Sequence, residues 1–412
     1  MLLLVIAAAM PYRFESGIGP FSTFSVLEVV LLVGMPLVYI AAIQNGRLNL
    51  GNWRVFLCIS VPLALGFFSL LWSDDVDATL KYLVKIATAF IIYIVVVNSA
   101  ANFPEKVIRK YWLLFFALCL LGTIGFFLNI PGFQLLELRD TNDLHMIASA
   151  HMRLTNPFIG RAPDYGPILA FGVFLMLAYS IIYRQRLYFM FSFLLILCVL
   201  LTFTRGILLG FFIGLLYFGI VLKVGFLQML KNIAKVLIVL IPLLLVVISN
   251  YNLELDDRTI ELSQVVFEDR VSNKNIDSRF ELYGIVIDKI SESPLLGHGA
   301  GVFNISDSGG ETIAAHNSYL QGFLFYGIFF GLIYSFVLLY HFYAFYKIPV
   351  RSRQGKILSV ALSSGIITML VTAMSQPFME ASVPRVLLAF IMGLGVLSIK
   401  AIDKNAGFNS NA

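Results

Sequence analysis

The sequence predicts an all-α, polytopic integral membrane protein with about twelve transmembrane helices and a large loop between the ninth and tenth spans. Hydrophobic residues make up 59% of the 412 residues, and charged residues only 13%. Apolar runs of about 17 to 25 residues recur along the chain, and soluble domains could not bury so many of them. Lysine and arginine also separate from the acids between alternate loops, which is typical of membrane topology. Residues 1–412 are therefore expected to form a single membrane domain.

Twelve apolar runs are predicted to span the membrane. The first, Met1–Pro11, follows no basic residue and precedes no small-residue cleavage site, so it is interpreted as a short span and not as a signal peptide. The others are Thr23–Ile43, Val55–Trp72, Leu80–Val97, Tyr111–Ile130, Pro163–Tyr183, Leu187–Phe203, Gly206–Leu222, Ala234–Ser249, Ser318–Phe345, Ile357–Gln376 and Pro384–Ile399.

Alternating the loops across these spans gives one basic and one acidic face. The basic face carries Arg47, Arg54, Lys106, Arg109, Lys110, Arg184, Arg186, Lys223, Lys231, Lys235, Lys347, Arg351, Arg353, Lys356, Lys400 and Lys404. The opposite face carries Asp74, Asp75, Asp77, Asp140, Asp143, Asp256, Asp257, Glu268 and Asp269. Basic loops remain in the cytoplasm, so both termini are predicted to be cytoplasmic. Orientation thus accounts for the net charge of +5, and no nucleic-acid partner is expected.

Two loops on the outer face are long enough to carry a site. They span residues 131–162 and 250–317, and the larger one contains an amphipathic segment at Ser278–Ile290. The three cysteines lie within apolar runs, where packing is the simplest role. We find no Gly-rich phosphate loop, no Cys/His metal spacing and no Ser/His/Asp signature, so no cofactor and no metal are expected.

The candidate site centres on a turn rich in proline and glycine, Ser293–Gly301, which contains Gly297, His298 and Gly299. The segment Ala315–Leu320 follows and opens a long apolar run, which itself contains Gly327. His316 and Asn317 would then lie at headgroup depth, within reach of a lipid-borne substrate. The alternative is that the pair only caps a transmembrane helix.

Three arginines on the outer face are candidates for binding an anion. Arg205 lies between two apolar spans, Arg279 begins the amphipathic segment, and Arg161 precedes the sixth span beside Asp164. A guanidinium keeps its charge and donates paired hydrogen bonds to phosphate oxygens, so these residues suit a diphosphate. The respective alternatives are a snorkelling anchor, a solvated charge and a structural ion pair. The imidazole of His316 suits a general base that takes a proton from an attacking sugar hydroxyl.

The chain resembles the O-antigen ligase and polymerase superfamily of bacterial membrane glycosyltransferases. The resemblance lies in Arg205 followed by Leu209, in Arg279 ahead of the Pro294–Gly299 turn, and in His316 ahead of Gly327. It implies a multi-pass protein of the bacterial inner membrane with its active site in the periplasm. It also implies a metal-independent, inverting transfer of a glycan from undecaprenyl diphosphate to a hydroxyl acceptor, with a chain-length regulator as a further partner.

The resemblance assigns a role to each candidate residue. His316 would be the base, and Arg205 and Arg279 would hold the diphosphate. The resemblance assigns the same role to Arg161 less strongly. The supporting positions are Asn317, Tyr319, Gly297, Gly299 and Gly327.

Three functions remain open. The acceptor is lipid A-core for a ligase, which we favour, or a growing polysaccharide for a polymerase. The rival from another class is a transporter or lipid flippase, which the charged residues Lys81, Lys85 and Glu28 within predicted spans keep open.

Overall fold

The computed structural model describes residues 48–127, 162–202, 204–223, 274–302, 315–376 and 382–409. Short pieces at residues 1–2, 5–6, 13–15, 23–25 and 36 are also described. The predicted span Ala234–Ser249, most of the spans Met1–Pro11 and Thr23–Ile43, and residues 131–161 of the smaller outer loop lie outside these ranges.

The described residues form ten α-helices and one two-stranded antiparallel sheet. The strands are β1 (Arg13–Glu15) and β2 (Thr23–Ser25), which pair antiparallel with Phe14 opposite Phe24. The helices are α1 (Trp53–Ser69), α2 (Val76–Ser99), α3 (Glu105–Phe127), α4 (Ala162–Tyr183), α5 (Arg186–Leu201), α6 (Arg205–Val221), α7 (Lys274–Glu292), α8 (Ser318–Tyr346), α9 (Arg353–Ala373) and α10 (Ser382–Asn409).

Nine of these helices coincide with predicted spans, and α7 coincides with the predicted amphipathic segment. Six of the nine are long and apolar enough to cross a membrane, and the shorter α1, α5 and α6 are apolar helices of 16 or 17 residues. A multi-pass membrane protein is therefore supported, while the number of twelve spans stays a prediction. One boundary is wrong, because Thr23–Ser25 is a strand and not the start of a helix. Its β-branched and aromatic residue types favour extended backbone, which here pairs with β1.

The ends of the described membrane helices lie in two groups, which contacts between distant parts of the chain define. At one end, which we call the basal end, the Arg54 guanidinium donates to the Lys347 carbonyl at 2.6 Å. The Lys400 ammonium donates there to the Gly51 carbonyl at 3.0 Å. At the opposite end, which we call the site end, the Ala300 N–H donates to Ser69 Oγ at 3.1 Å. These contacts join parts of the chain that are hundreds of residues apart and hold the helix ends in register.

Helices α6 and α9 approach each other through a row of glycines on α6. A Cβ added at Gly210 would lie 2.6 Å from the Thr368 carbonyl oxygen, and one at Gly214 would lie 2.7 Å from the Ser364 carbonyl oxygen. Thr368 Oγ1 uses this proximity to donate to the Gly210 carbonyl at 3.2 Å. Small residues at four-residue spacing allow membrane helices to come this close. The packing fixes the first turn of α6, and with it Arg205, against the end of α9.

Candidate active site

The glycine-rich turn is built into a break in helix α8. The helix is interrupted at Gly327, whose φ of 70° and ψ of −175° are not helical. An unbroken helix would bond the Leu324 carbonyl to the N–H of Ile328. Instead, the Leu324 carbonyl accepts from His298 N–H at 2.9 Å, and Ile328 N–H donates to the Pro294 carbonyl at 2.7 Å. The turn therefore satisfies backbone groups that the break would otherwise expose.

Glycine is required on both sides of this junction. Gly297 has a φ of +70°, and a Cβ there would lie 2.5 Å from the Gly327 backbone nitrogen. A Cβ on Gly327 would in turn collide with the Leu295 carbonyl. Gly299 has a φ of +101° and lies directly against Ser73. The three glycines named from the sequence thus lie in one junction, and each has a packing reason to be glycine.

His298 ties this turn to two other elements. Its Nδ1 lies 2.5 Å from Asp74 Oδ2, and its Nε2 lies 2.9 Å from the Lys289 carbonyl oxygen at the end of α7. The Asp74 N–H also donates to the His298 carbonyl at 3.0 Å. The ring is buried, and both of its nitrogens are engaged. His298 is therefore a structural bridge between the glycine-rich turn, the segment at Asp74 and the end of α7.

His316 lies two residues before the start of helix α8 and is exposed. Its φ is +46°, in the left-handed region that few residues other than glycine adopt. Asn317 next to it caps the helix, because its side-chain oxygen accepts from the N–H groups of Tyr319 at 2.9 Å and Leu320 at 3.2 Å. The capping role proposed as an alternative is thus present for Asn317, whereas His316 is presented to the outside at the site end.

The segment Thr372–Gln376 contains the last residues of α9 and the three residues that follow it. It is contacted by elements that carry the predicted site residues. Ser318 Oγ, two residues after His316, donates to the Gln376 carbonyl at 3.2 Å. The Tyr319 hydroxyl donates to the Leu370 carbonyl at 3.4 Å, one turn further into α9. Gly206, next to Arg205, packs so closely that a Cβ there would collide with Ser375.

Helix α7 contacts the same segment through the Tyr283 hydroxyl, which donates to the Met374 carbonyl at 3.5 Å. One face of α7 is buried: Val286 packs with Ala315 and Leu324. Position 279 precedes Tyr283 by four residues and Val286 by seven, so it shares their helical face. The backbone thus brings position 279 to the side of α7 that packs against the residue preceding His316. Arg161 lies outside the described residues.

Two features of this end were not singled out from the sequence. Arg385 is buried at the start of α10, donates to the Tyr82 hydroxyl at 2.8 Å and lies over the Tyr82 ring at 4.5 Å. Tyr82 in turn packs against Gly301 of the glycine-rich turn. The signal that could have identified Arg385 is an arginine directly after Pro384 at the outer start of an apolar run.

The second feature is a polar cavity of about 530 Å³ beside the His298 bridge. Its lining includes Asp74, Asp75, Asp77, Lys289 and His298. Cavities of this size hold small ligands in other proteins, where typical volumes are about 300 to 1,000 Å³. Among the described residues, no group of three or more His, Cys, Asp or Glu side chains is arranged to hold a metal ion.

These observations define a class: a multi-pass helical membrane protein with a polar site at one end of its helices. Residues 190–336 match the family model Wzy_C, described as O-antigen ligase. The protein thus carries an O-antigen ligase domain in residues 190–336, and the resemblance inferred from the sequence is confirmed. The matched segment runs from α5 into α8 and includes Arg205, Arg279 and His316. No curated protein matches the chain.

Proposed function

We propose that this protein is a metal-independent, inverting glycosyltransferase that transfers a glycan from undecaprenyl diphosphate to a hydroxyl of lipid A-core. The observation that carries the proposal is that three elements of the O-antigen ligase domain meet at the end of α9, which follows that domain in the chain. Arg205 begins one of these elements, position 279 lies on the second, and His316 lies two residues before the third. None of the three residues is adjacent to another in sequence, and each belongs to a different element.

In this mechanism the two arginines bind the donor through its diphosphate. A guanidinium matches phosphate oxygens with paired hydrogen bonds and compensates the negative charge that grows on the leaving group. His316 accepts the proton of the acceptor hydroxyl as its oxygen attacks the anomeric carbon. A new carbon–oxygen bond forms while the bond from the anomeric carbon to the diphosphate breaks, so configuration inverts. The diphosphate leaves on its lipid, and the proton on His316 passes to solvent.

The positions of the charges support a periplasmic site in the inner membrane. Basic residues cluster at the basal end of the described helices. They include Arg54, Lys347, Arg351 and Lys400. The positive-inside tendency then puts the basal end in the cytoplasm and the site end in the periplasm. Lipid-linked glycans and lipid A-core would meet the enzyme there.

The test is deletion in the native host, followed by gel analysis of surface polysaccharide and complementation with wild type or His316→Asn. Asparagine tolerates a positive φ, so this variant removes the base without straining the backbone. Bare lipid A-core with long polymer retained on undecaprenyl diphosphate supports a ligase. A single repeat unit on lipid A-core, or loss of polymer altogether, indicates the polymerase. An unchanged profile contradicts both and favours transport.

A matched control is Glu292→Ala, which alters an exposed residue at the end of α7 that has no role in the proposed chemistry. It should restore the wild-type profile, whereas His316→Asn should not.

A further inference from the structure

Helix α7 exposes two chemically different strips on the side away from its packed face. Phe280 and Ile287, seven residues apart, form an apolar strip and are 68% and 52% exposed. Glu281, Asp288 and Glu292 form an acidic strip beside it, because their positions are rotated by about 100° from the apolar ones. Since Val286 on the packed face is buried, the helix holds a fixed rotation with both strips outward.

The apolar strip continues beyond the end of α7 into the glycine-rich turn. Leu295 is 74% exposed and Leu296 is 43% exposed. Both follow Pro294, whose carbonyl accepts from Ile328 at 2.7 Å, so the two leucines lie beside the break in α8.

On the C-terminal side of that break, α8 exposes an apolar stripe along its length. The stripe comprises Ile328, Phe329, Leu332, Phe336 and Leu339, all at least about half exposed and all within a candidate membrane span. Exposed apolar side chains on a membrane span face lipid acyl chains. The two leucines are therefore contiguous with a lipid-facing surface and not with an isolated surface patch.

We propose that Phe280, Ile287, Leu295 and Leu296 form a lipid-docking patch that inserts among the acyl chains of the leaflet at the site end. Helix α7 then lies in the headgroup layer, with its acidic strip toward water and its apolar strip toward lipid, as interfacial amphipathic helices do. The occupant of the patch is the acyl region of the bilayer. A consequence, which rests on the proposed function, is that the patch holds position 279 at the depth of lipid phosphates.

The experiment measures depth with spin labels on single introduced cysteines, using full-length protein in phosphatidylethanolamine/phosphatidylglycerol vesicles. The native cysteines Cys58, Cys119 and Cys198 are buried, so labelling is directed to the introduced site. Ile287→Cys and Leu295→Cys report on the patch. Asp288→Cys is the matched control, because it neighbours Ile287, is also exposed and lies on the acidic strip.

We expect labels at 287 and 295 to collide several-fold more often with oxygen, which concentrates in lipid, than with a water-soluble nickel chelate. The label at 288 should show the reverse preference. Equal access of the nickel chelate to all three labels would overturn the proposal. Exclusion of both reagents from 287 and 295, with dipolar broadening between labels, would also overturn it, since a second copy of the chain would then cover the patch.

This measurement requires no glycan and no turnover, so it separates the patch from the proposed function. Deep labels in a protein that transfers no glycan would leave the patch intact and contradict the glycosyltransferase. Water-exposed labels in an active protein would overturn the patch and leave the proposed glycosyltransferase intact. A third variant, Leu295→Asp, should lose the lipid contact of the turn and lower transfer in vesicles.

Discussion

Replacing Gly327 by alanine tests whether the glycine-rich turn and the break in α8 form one structural unit. An alanine there must keep a φ of 70° and ψ of −175°, and its Cβ collides with the Leu295 carbonyl. Such backbone strain costs about 1 to 3 kcal/mol. Relief of the collision separates the turn from α8 and breaks three hydrogen bonds, those joining His298 to Leu324, Gly299 to Phe325 and Ile328 to Pro294.

Each of these bonds contributes about 0.5 to 1.5 kcal/mol net, so the expected loss in free energy of unfolding is about 2.5 to 7.5 kcal/mol. Against a typical total of about 5 to 15 kcal/mol, this should leave Gly327→Ala severely destabilised. The assay is unfolding of the purified protein in mixed micelles, followed by tryptophan fluorescence.

The chain offers a matched control in Gly284, a helical glycine of α7 with open space where a Cβ would be. Gly284→Ala should be neutral or stabilising by up to about 1 kcal/mol, because alanine is the better helix former. A free energy of unfolding for Gly327→Ala within about 1 kcal/mol of that for Gly284→Ala would show that the turn and the break do not form one unit. Because Gly297 and Gly327 are in direct contact, we also expect the double variant Gly297→Ala/Gly327→Ala to cost less than the two single changes added together.

Three further outcomes are expected. His316→Asn should reduce the transfer rate by about 10² to 10⁴-fold, the usual contribution of a general base, with an unchanged unfolding midpoint, and near-normal turnover would exclude the base role. Arg205→Lys should impair transfer more than it impairs membrane insertion, because an ammonium cannot reproduce the paired hydrogen bonds of a guanidinium, and equal turnover would indicate a simple anchor. Gly210→Val should separate α6 from α9 by placing a side chain against the Thr368 carbonyl, detectable as a lower midpoint of thermal unfolding, and a wild-type midpoint would show that the helices adjust without cost.

The membrane helices could be predicted from sequence because their signal is local. An apolar run of suitable length has few alternatives in a bilayer, where every backbone group needs an internal partner. Charge at the loop ends added a prediction of orientation, which stays a prediction. The strand Thr23–Ser25 was missed because a window long enough to detect a span averages hydropathy over many residues. Three extended residues at its edge change that average little.

The candidate site was only partly predictable because its contacts join distant parts of the chain. Asp74 and His298 are 224 residues apart, and Tyr82 and Arg385 are 303 apart. No periodicity connects such pairs. The positive φ of His316 could not be predicted from the sequence either, since only a small minority of histidines adopt left-handed backbone. The glycines were detectable because a close backbone approach leaves few other residue types acceptable.

The contact between the glycine-rich turn and the break in α8 also influences the position of His316. The first part of α8, from Ser318 to the break at Gly327, is held by the turn at one end and by the Ser318–Gln376 contact at the other. His316 extends from the end held against α9, and Gly206 beside Arg205 packs against Ser375 in that same segment. A disturbance at Gly297 or Gly327 would therefore shift the short helical piece that carries His316 relative to Arg205. The glycine-rich motif acts on the proposed chemistry through backbone position, and none of its side chains needs to touch the substrate.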